Sequence, residues 1–434
     1  MPEKKLAFDT LKIRAGHVPG QHGHSVAVPI YQTAAFDLGS PARVAEILTF
    51  EKPDFVYTRV GNPTVAALEQ RLAALDGARG AVAVGSGMAA VTFALFNAAE
   101  GGGRILTTPR LYGGTIDSLK KIYPVFGIGF DQVDDADDPE SFARSIGPDT
   151  RAVFVESISN PNGAVADLEA LAGVAHAHGI PLIVDNTLAM PYLLNPLSHG
   201  ADIVVYSATK GLNGHGNAIA GIVLEGGVFD WGSEKFPQFT RPEFTLRDRE
   251  GRERSFLEVF PEFPFTARVR SNYLAYFGAV LGPFDAFLTL QGIETLSERV
   301  SKQVRSAEAI VRYLEGHASV AWVSHPSARG SRYAGLAARY LPKGGGSVLS
   351  FGFGGTPEQL DHFLEGLELF GYQANLGDAR SLVIDPPRVT HGELTPGEQA
   401  KAGIAPETVR LSIGLEDPQD LIGDLDAAFA KARS

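Results

Sequence analysis

The chain has 434 residues, 44% of them hydrophobic and 20% charged, enough apolar material for a large core and two or three domains. Its net charge of -12 argues against a nucleic-acid surface, whose footprint is basic. With no cysteine at all, disulfides, thiolate catalysis and cysteine-ligated metal sites are excluded.

The opening MPEKKLAFDTLKIRAGH carries no apolar core of a signal peptide, and no run of about 18 apolar residues follows it. A cytoplasmic protein without membrane contact is expected. Residues 1–65 read as an irregular arm, with HVPGQHGHSVAVPIYQT and YTRVGNPT rich in Pro, Gly and Asn. Thr64 to Leu75 then reads as a helix, since Pro63 precedes it and Val65, Leu68, Leu72 and Leu75 share one face.

From about residue 80 to 225, short apolar runs alternate with helical stretches. The runs are AVAVGSG, RILTTP, AVFVESIS, PLIVDNT, DIVVYSATK and GIVLEG, and the helices include MAAVTFALFNAAE and LEALAGVAHAHG. This alternation predicts an α/β domain around a mainly parallel sheet buried on both faces. Ligands of such sheets bind beyond the carboxyl ends of the strands. Here those ends carry Gly85-Ser86-Gly87, Glu156-Ser157, Asp185-Asn186-Thr187 and Ser207-Ala208-Thr209-Lys210, so these groups should share one crevice. Residues 228–268 lack periodicity and read as a long loop with a functional or interface role. A helical stretch over 283–316 leads to an α+β region with strand-like SVLSFGF and TVRLSIGLE and helices near 357–369 and 418–432. The expected units are therefore 1–65, 66–282 and 283–434.

Three chemistries compete for the crevice. VAVGSGMAA fits a dinucleotide-binding turn, but the next strand, RILTTPR, ends without the acid that would hold a ribose. Ser207-Ala-Thr-Lys210 fits the S-x-x-K of an acyl-transfer serine, but S-D-N and K-T-G partners are missing from the chain. Pyridoxal phosphate needs a lysine for its Schiff base and a carboxylate for its ring nitrogen. Lys210 and Asp185 supply both, the amides of Gly87 and Met88 open a helix toward a phosphate, and Ser207 and Thr209 add hydroxyls. Tyr112 in LYGGT has a ring that could stack on the cofactor. His17, His22, His24, His215 and His391 lie on loops without paired ligand spacing, so no metal is expected.

YTRVGNPT, GSGMAA, LYGGT, ESISNP, VDNT, YSATKGLNGHG and VRLSIGLE occur here in the order found in the pyridoxal-phosphate enzymes of cysteine and methionine metabolism. The chain resembles that family over nearly its whole length. The resemblance implies fold-type I, the aspartate-aminotransferase-like architecture: a seven-stranded, mainly parallel sheet, an N-terminal arm and a smaller α+β domain. It implies Lys210 as the Schiff-base lysine, Asp185 as the pyridinium partner, and Gly87, Met88, Ser207 and Thr209 as phosphate ligands. By the same resemblance Tyr112 stacks on the ring and assists proton transfer, while Tyr57 and Arg59 reach the phosphate of a neighbouring subunit. Arg410 would grip the substrate carboxylate, helped by Asn160 and the Ser381 backbone, in a homotetramer built of catalytic dimers.

Within the family the chain is most similar to O-acetylhomoserine sulfhydrylases, through FDWGSEKFPQFTRP, PFDAFLTLQGIETL, ARYLPKGGGSVLSFG and NLGDARSLVIDPP. That implies γ-replacement of acetate by sulfide or a thiol. The γ-lyases, cystathionine γ-synthase and O-succinylhomoserine sulfhydrylase remain alternatives. The chain departs from the sulfhydrylases at SLVIDPPRVTH, where SLVIHPASTTH is common, and at Leu212-Asn213. Asp385 and Arg388 read as a charge pair at the edge of the substrate pocket, able to alter the accepted leaving group or thiol.

Overall fold

All six apolar runs are strands of one sheet, and a seventh strand joins them. The computed structural model describes residues 6–433. The strands are β1 (Gly80–Val84), β2 (Arg104–Thr107), β3 (Gly129–Gln132), β4 (Thr150–Glu156), β5 (Leu182–Asp185), β6 (Ile203–Ser207) and β7 (Gly221–Glu225). Their order across the sheet is β1-β7-β6-β5-β4-β2-β3. Strands β2 to β6 run parallel, while β7 is antiparallel to both its neighbours. The added strand, β3, is a half-buried edge strand reading GFDQ, too short and polar to announce itself. The inner strands are apolar through their middles, with polar residues at their ends, as strands covered on both faces must be.

Helices hold the sheet from each side. The predicted N-terminal helix spans Pro63–Asp76, capped by the Asn62 side chain, with Leu68 and Leu72 fully buried. The helix Gly87–Ala99 starts where Ser86 Oγ accepts from Ala89 N at 3.1 Å. It is apolar nearly all round, as a helix packed under a sheet must be. Residues 228–268 differ from the expected loop. They form a hairpin, β8 (Glu243–Arg247) with β9 (Glu253–Arg254), and short helices. Trp231, Phe236, Phe239, Phe256 and Phe265 are buried together there. Aromatic clustering without a helical or strand period gave the sequence no pattern to show.

The stretch expected as one helix over 283–316 is two, Pro283–Glu294 and Leu296–Glu315. Beyond it lies a second sheet of β10 (Val320–Ser324), β11 (Val348–Phe353), β12 (Gly371–Tyr372), β13 (Leu382–Ile384) and β14 (Thr408–Ser412), ordered β10-β11-β14-β13-β12. It is antiparallel except where β12 meets β13. Helices Pro357–Gly366 and Pro418–Ala432 cover it over a separate apolar core centred on Phe351, Phe363 and Phe429. Among the described residues no helix is long and apolar enough to cross a membrane.

Candidate active site

Parallel pairing puts the carboxyl ends of β4, β5 and β6 side by side. Glu156 is opposite Asp185 in the ladder, and Asp185 is opposite Val205, two residues before Ser207. The helix Gly87–Ala99 points its start at the same edge, and β14 delivers Arg410 from the second sheet. Together they enclose a cavity of about 240 Å³ lined by Gly87, Met88, Tyr112, Asn160, Asp185, Ser207, Thr209, Lys210 and Arg410. Nine of the twelve residues singled out from the sequence therefore meet at one place.

Lys210 follows β6 in a tight turn, with its amide bonded to Ser207 O at 3.1 Å. Its Nζ donates to Asn375 Oδ1 at 2.7 Å. Burial, aided by the positive charge of Arg410, brings its pKa down to about 8. Asp185 is half-buried, accepts the Thr187 N–H at 2.9 Å, and forms no ion pair among the described residues. Desolvation pushes its carboxyl pKa upward. Glu156 beside it is also pushed up, by burial first and then by the charge of Asp185.

Arg410 is buried, and the loss of water lowers its pKa to about 10. Its Nη1 donates to Asn160 Oδ1 at 3.0 Å and its Nη2 to Asn375 O at 2.8 Å. Its Nε is buried without a partner, and no carboxylate pairs with it among the described residues. A guanidinium held dry and unpaired is costly, and an arriving carboxylate is the group that relieves it.

The remaining residues divide. Tyr112 precedes the helix Gly113–Lys121, is 42% exposed and lines the cavity. Thr209 Oγ1 is tied to the Ala220 backbone on both sides, at 3.0 and 3.2 Å. Tyr57 and Arg59 do not line the cavity. Arg59 lies against its neighbour Tyr57, 5.6 Å from the ring centroid, and donates to Ala275 O at 2.6 Å. Ser381 is not brought to the cavity either. Its N–H and hydroxyl each donate to Glu416 at 2.8 Å, which turns the residue into the second sheet. The loop that reaches Lys210 and Arg410 instead presents Asn375, which sequence reasoning missed. No spacing rule tells which of two polar residues on a loop faces inward.

Asp385 and Arg388 also differ from expectation. Asp385 is buried, accepts from the Tyr372 hydroxyl at 2.5 Å and pairs with Arg388, which pairs in turn with Asp361 at 2.7 Å. Asp361 belongs to the helix Pro357–Gly366, so the pair fastens its loop to the second domain's surface and does not line the cavity. Thr390 and His391 are the parts of that loop at the site. Thr390 lines the cavity, and His391 Nε2 lies 3.2 Å from Leu111 O.

A cofactor with a phosphate, a basic ring nitrogen and an aldehyde fits what is present. Gly87 and Met88 offer first-turn N–H groups that no helix carbonyl can use. The half-buried Asp185 lacks a cation among the described residues, and Lys210 offers an amine. Comparison with known proteins agrees. The profile of the Cys/Met metabolism PLP-dependent enzymes matches residues 9–430. The chain is 40% identical to a homocysteine synthase of Schizosaccharomyces pombe over 100% of both chains. It is 39% identical to an O-acetyl-L-homoserine sulfhydrylase of Leptospira meyeri over 97% of this chain and 96% of that one. A solved structure from Campylobacter jejuni, a candidate O-acetylhomoserine (thiol)-lyase with a pyridoxyl-lysine monophosphate, superimposes with a TM-score of 0.93 at 34% identity. The superposition covers 98% of this chain and 100% of that one.

The chain belongs to the Cys/Met metabolism family of PLP-dependent enzymes. Pyridoxal phosphate is its cofactor.

Proposed function

We propose that the protein catalyses γ-replacement on O-acetyl-L-homoserine, exchanging acetate for sulfide or a thiol to give homocysteine or methionine. One observation carries the reading beyond the names of the relatives. Asn375 binds both the Lys210 amine and the Arg410 guanidinium, so an α-carboxylate on Arg410 brings the substrate α-carbon to the lysine. Pyridoxal phosphate, when bound, supplies the electron sink that lets protons leave the α and β carbons. Lys210 is the base for both protons, since its lowered pKa leaves much of it neutral near pH 8. Arg410 and Asn160 orient the substrate by its carboxylate. Asp185 holds a proton on the ring nitrogen, Tyr112 stacks on the ring, and Gly87, Met88, Ser207 and Thr209 bind the phosphate. The Cγ–O bond breaks, acetate departs, and the sulfur bonds to Cγ.

The subunit arrangement belongs to the same proposal. Residues 1–65 act as an arm, 66–282 bind the cofactor, and 283–434 close over the substrate. Tyr57 and Arg59 serve the phosphate of a second copy, in dimers that pair into tetramers. An apolar face beside Arg59 supports this: Tyr276, Phe277 and Val125 are 68%, 57% and 77% exposed. Such a patch on a monomer marks an interface.

The test is product analysis on O-acetylhomoserine with and without sulfide. Homocysteine and acetate are expected only with sulfide. Keto acid and ammonia as main products in both would identify a γ-lyase.

A further inference from the structure

Glu156 closes the apolar strand β4 with a charge. It is buried, lines the cavity, and sits beside Asp185 in the ladder. Two carboxylates side by side in a dry place disfavour each other's ionisation. An apolar residue would continue the run Ala152 to Val155 without that cost. What Glu156 obtains there is two backbone donors, one from the distant Tyr112 and one from Asn160, four residues on in the chain after its own strand. Its Oε1 accepts the Tyr112 N–H at 2.5 Å, and its Oε2 accepts the Asn160 N–H at 3.0 Å. These two N–H donors favour the carboxylate form, against burial and Asp185, because it accepts at both oxygens, whereas an amide would set an N–H against one of them.

We propose that Glu156 is a positioning residue, a single carboxylate that fixes the Tyr112 ring and the Asn160 amide relative to one another. Each tie continues into the site. Tyr112 opens the helix Gly113–Lys121 with no side-chain cap of its own. Asn160 carries on to Arg410 through its Oδ1. One residue thus sets the stacking face for the cofactor and the grip on the substrate carboxylate. Losing it must disturb both at once, which a local packing defect in β4 would not do.

The substitution to make is Glu156→Gln, which keeps the shape and turns one acceptor into a donor facing an N–H. Apo-protein titrated with pyridoxal phosphate should bind at least about tenfold more weakly. KM for O-acetylhomoserine should rise by a similar factor, with kcat falling less, because the carboxylate grip is lost in ground and transition states alike. Glu156→Asp should shift both quantities in the same direction, since its shorter arm cannot span the two donors. The KM measurement rests on the proposed substrate, whereas the cofactor titration does not. A wild type inactive on that ester would reject the substrate and leave Glu156 to be judged by the titration. Wild-type cofactor affinity in folded Glu156→Gln would overturn the proposal. So would failure of both variants to fold, which would make the carboxylate a requirement of the sheet.

Discussion

Lys210 and Arg410 meet at Asn375. Burial first, and the nearby Arg410 charge second, raise the cost of protonating the lysine amine, so its pKa falls to about 8. The amine captures an aldehyde only when neutral. Cofactor uptake by the apo-protein should therefore speed up as pH rises and level off above about pH 8, well short of the ordinary lysine value of 10.5. Stopped-flow absorbance between about pH 6 and pH 9.5 measures this, and a rate still climbing at the upper end would contradict it. Arg410 contributes shape as well as charge. Its Nη1 and Nη2 are already committed to Asn160 and Asn375, so the guanidinium is held in one plane. Arg410→Lys keeps the charge and loses the fork. It should raise KM for the amino acid by about 10- to 100-fold with a smaller effect on kcat.

At the scale of elements, the site depends on how closely the helix Gly87–Ala99 approaches β6. A Cβ on Gly87 would lie 2.5 Å from Ser207 Cβ and 2.7 Å from its hydroxyl. Gly87→Ala should push the helix start off the strand and weaken cofactor binding by about tenfold, read by titration of the apo-protein. The sequence marked Gly87 as a helix-opening phosphate ligand, but its contact with Ser207 depends on packing between segments far apart in the chain. Continuous apolar runs identified β4, β5 and β6, and with them Asp185 and Lys210. What stayed hidden lacked a period or depended on distant packing. The polar edge strand β3 offers no alternation. The aromatic cluster around Trp231 is held by ring contacts between residues far apart in sequence. Ser381 and Asn375 are equally polar, and only Glu416 decides that the first turns away. The core also holds a group the site does not use. Asp76 ends the helix Pro63–Asp76 with one oxygen on the Tyr206 hydroxyl at 2.9 Å and the other buried without a partner. Burial raises its pKa from 3.8 to about 7. The native state holds this proton to higher pH than the unfolded chain, so its contribution is complete in acid and is lost as pH rises through about 7. Asp76→Asn should raise Tm by about 2 °C or more near pH 8 and leave it unchanged near pH 4, by calorimetry.

At the scale of the whole molecule, the described residues of the arm, 6–65, do not line the cavity. Tyr57 and Arg59 lie away from Lys210, yet they sit next to the exposed aromatic face around Phe277. The proposed symmetric dimer through that face would bury the apolar patch of both copies and send residues 6–65 of each toward the other's cavity. In that proposed dimer every active site would combine Lys210 of one copy with Arg59 of the other, so defects in the two residues should complement. Lys210→Ala protein has no base, and Arg59→Ala protein should bind the phosphate of the cofactor poorly, so each alone should be nearly inactive. When the two are unfolded and refolded together, half of the dimers pair one of each kind. In such a dimer one site receives both wild-type residues and the other receives neither. Activity should recover to about a quarter of the wild-type value per protomer. Co-refolded samples are compared with the same proteins refolded apart and then mixed. No recovery, with mixed dimers verified by mass, would mean that Arg59 serves its own subunit. In that case the arm would have to fold back across its own surface, and the aromatic face would need another occupant.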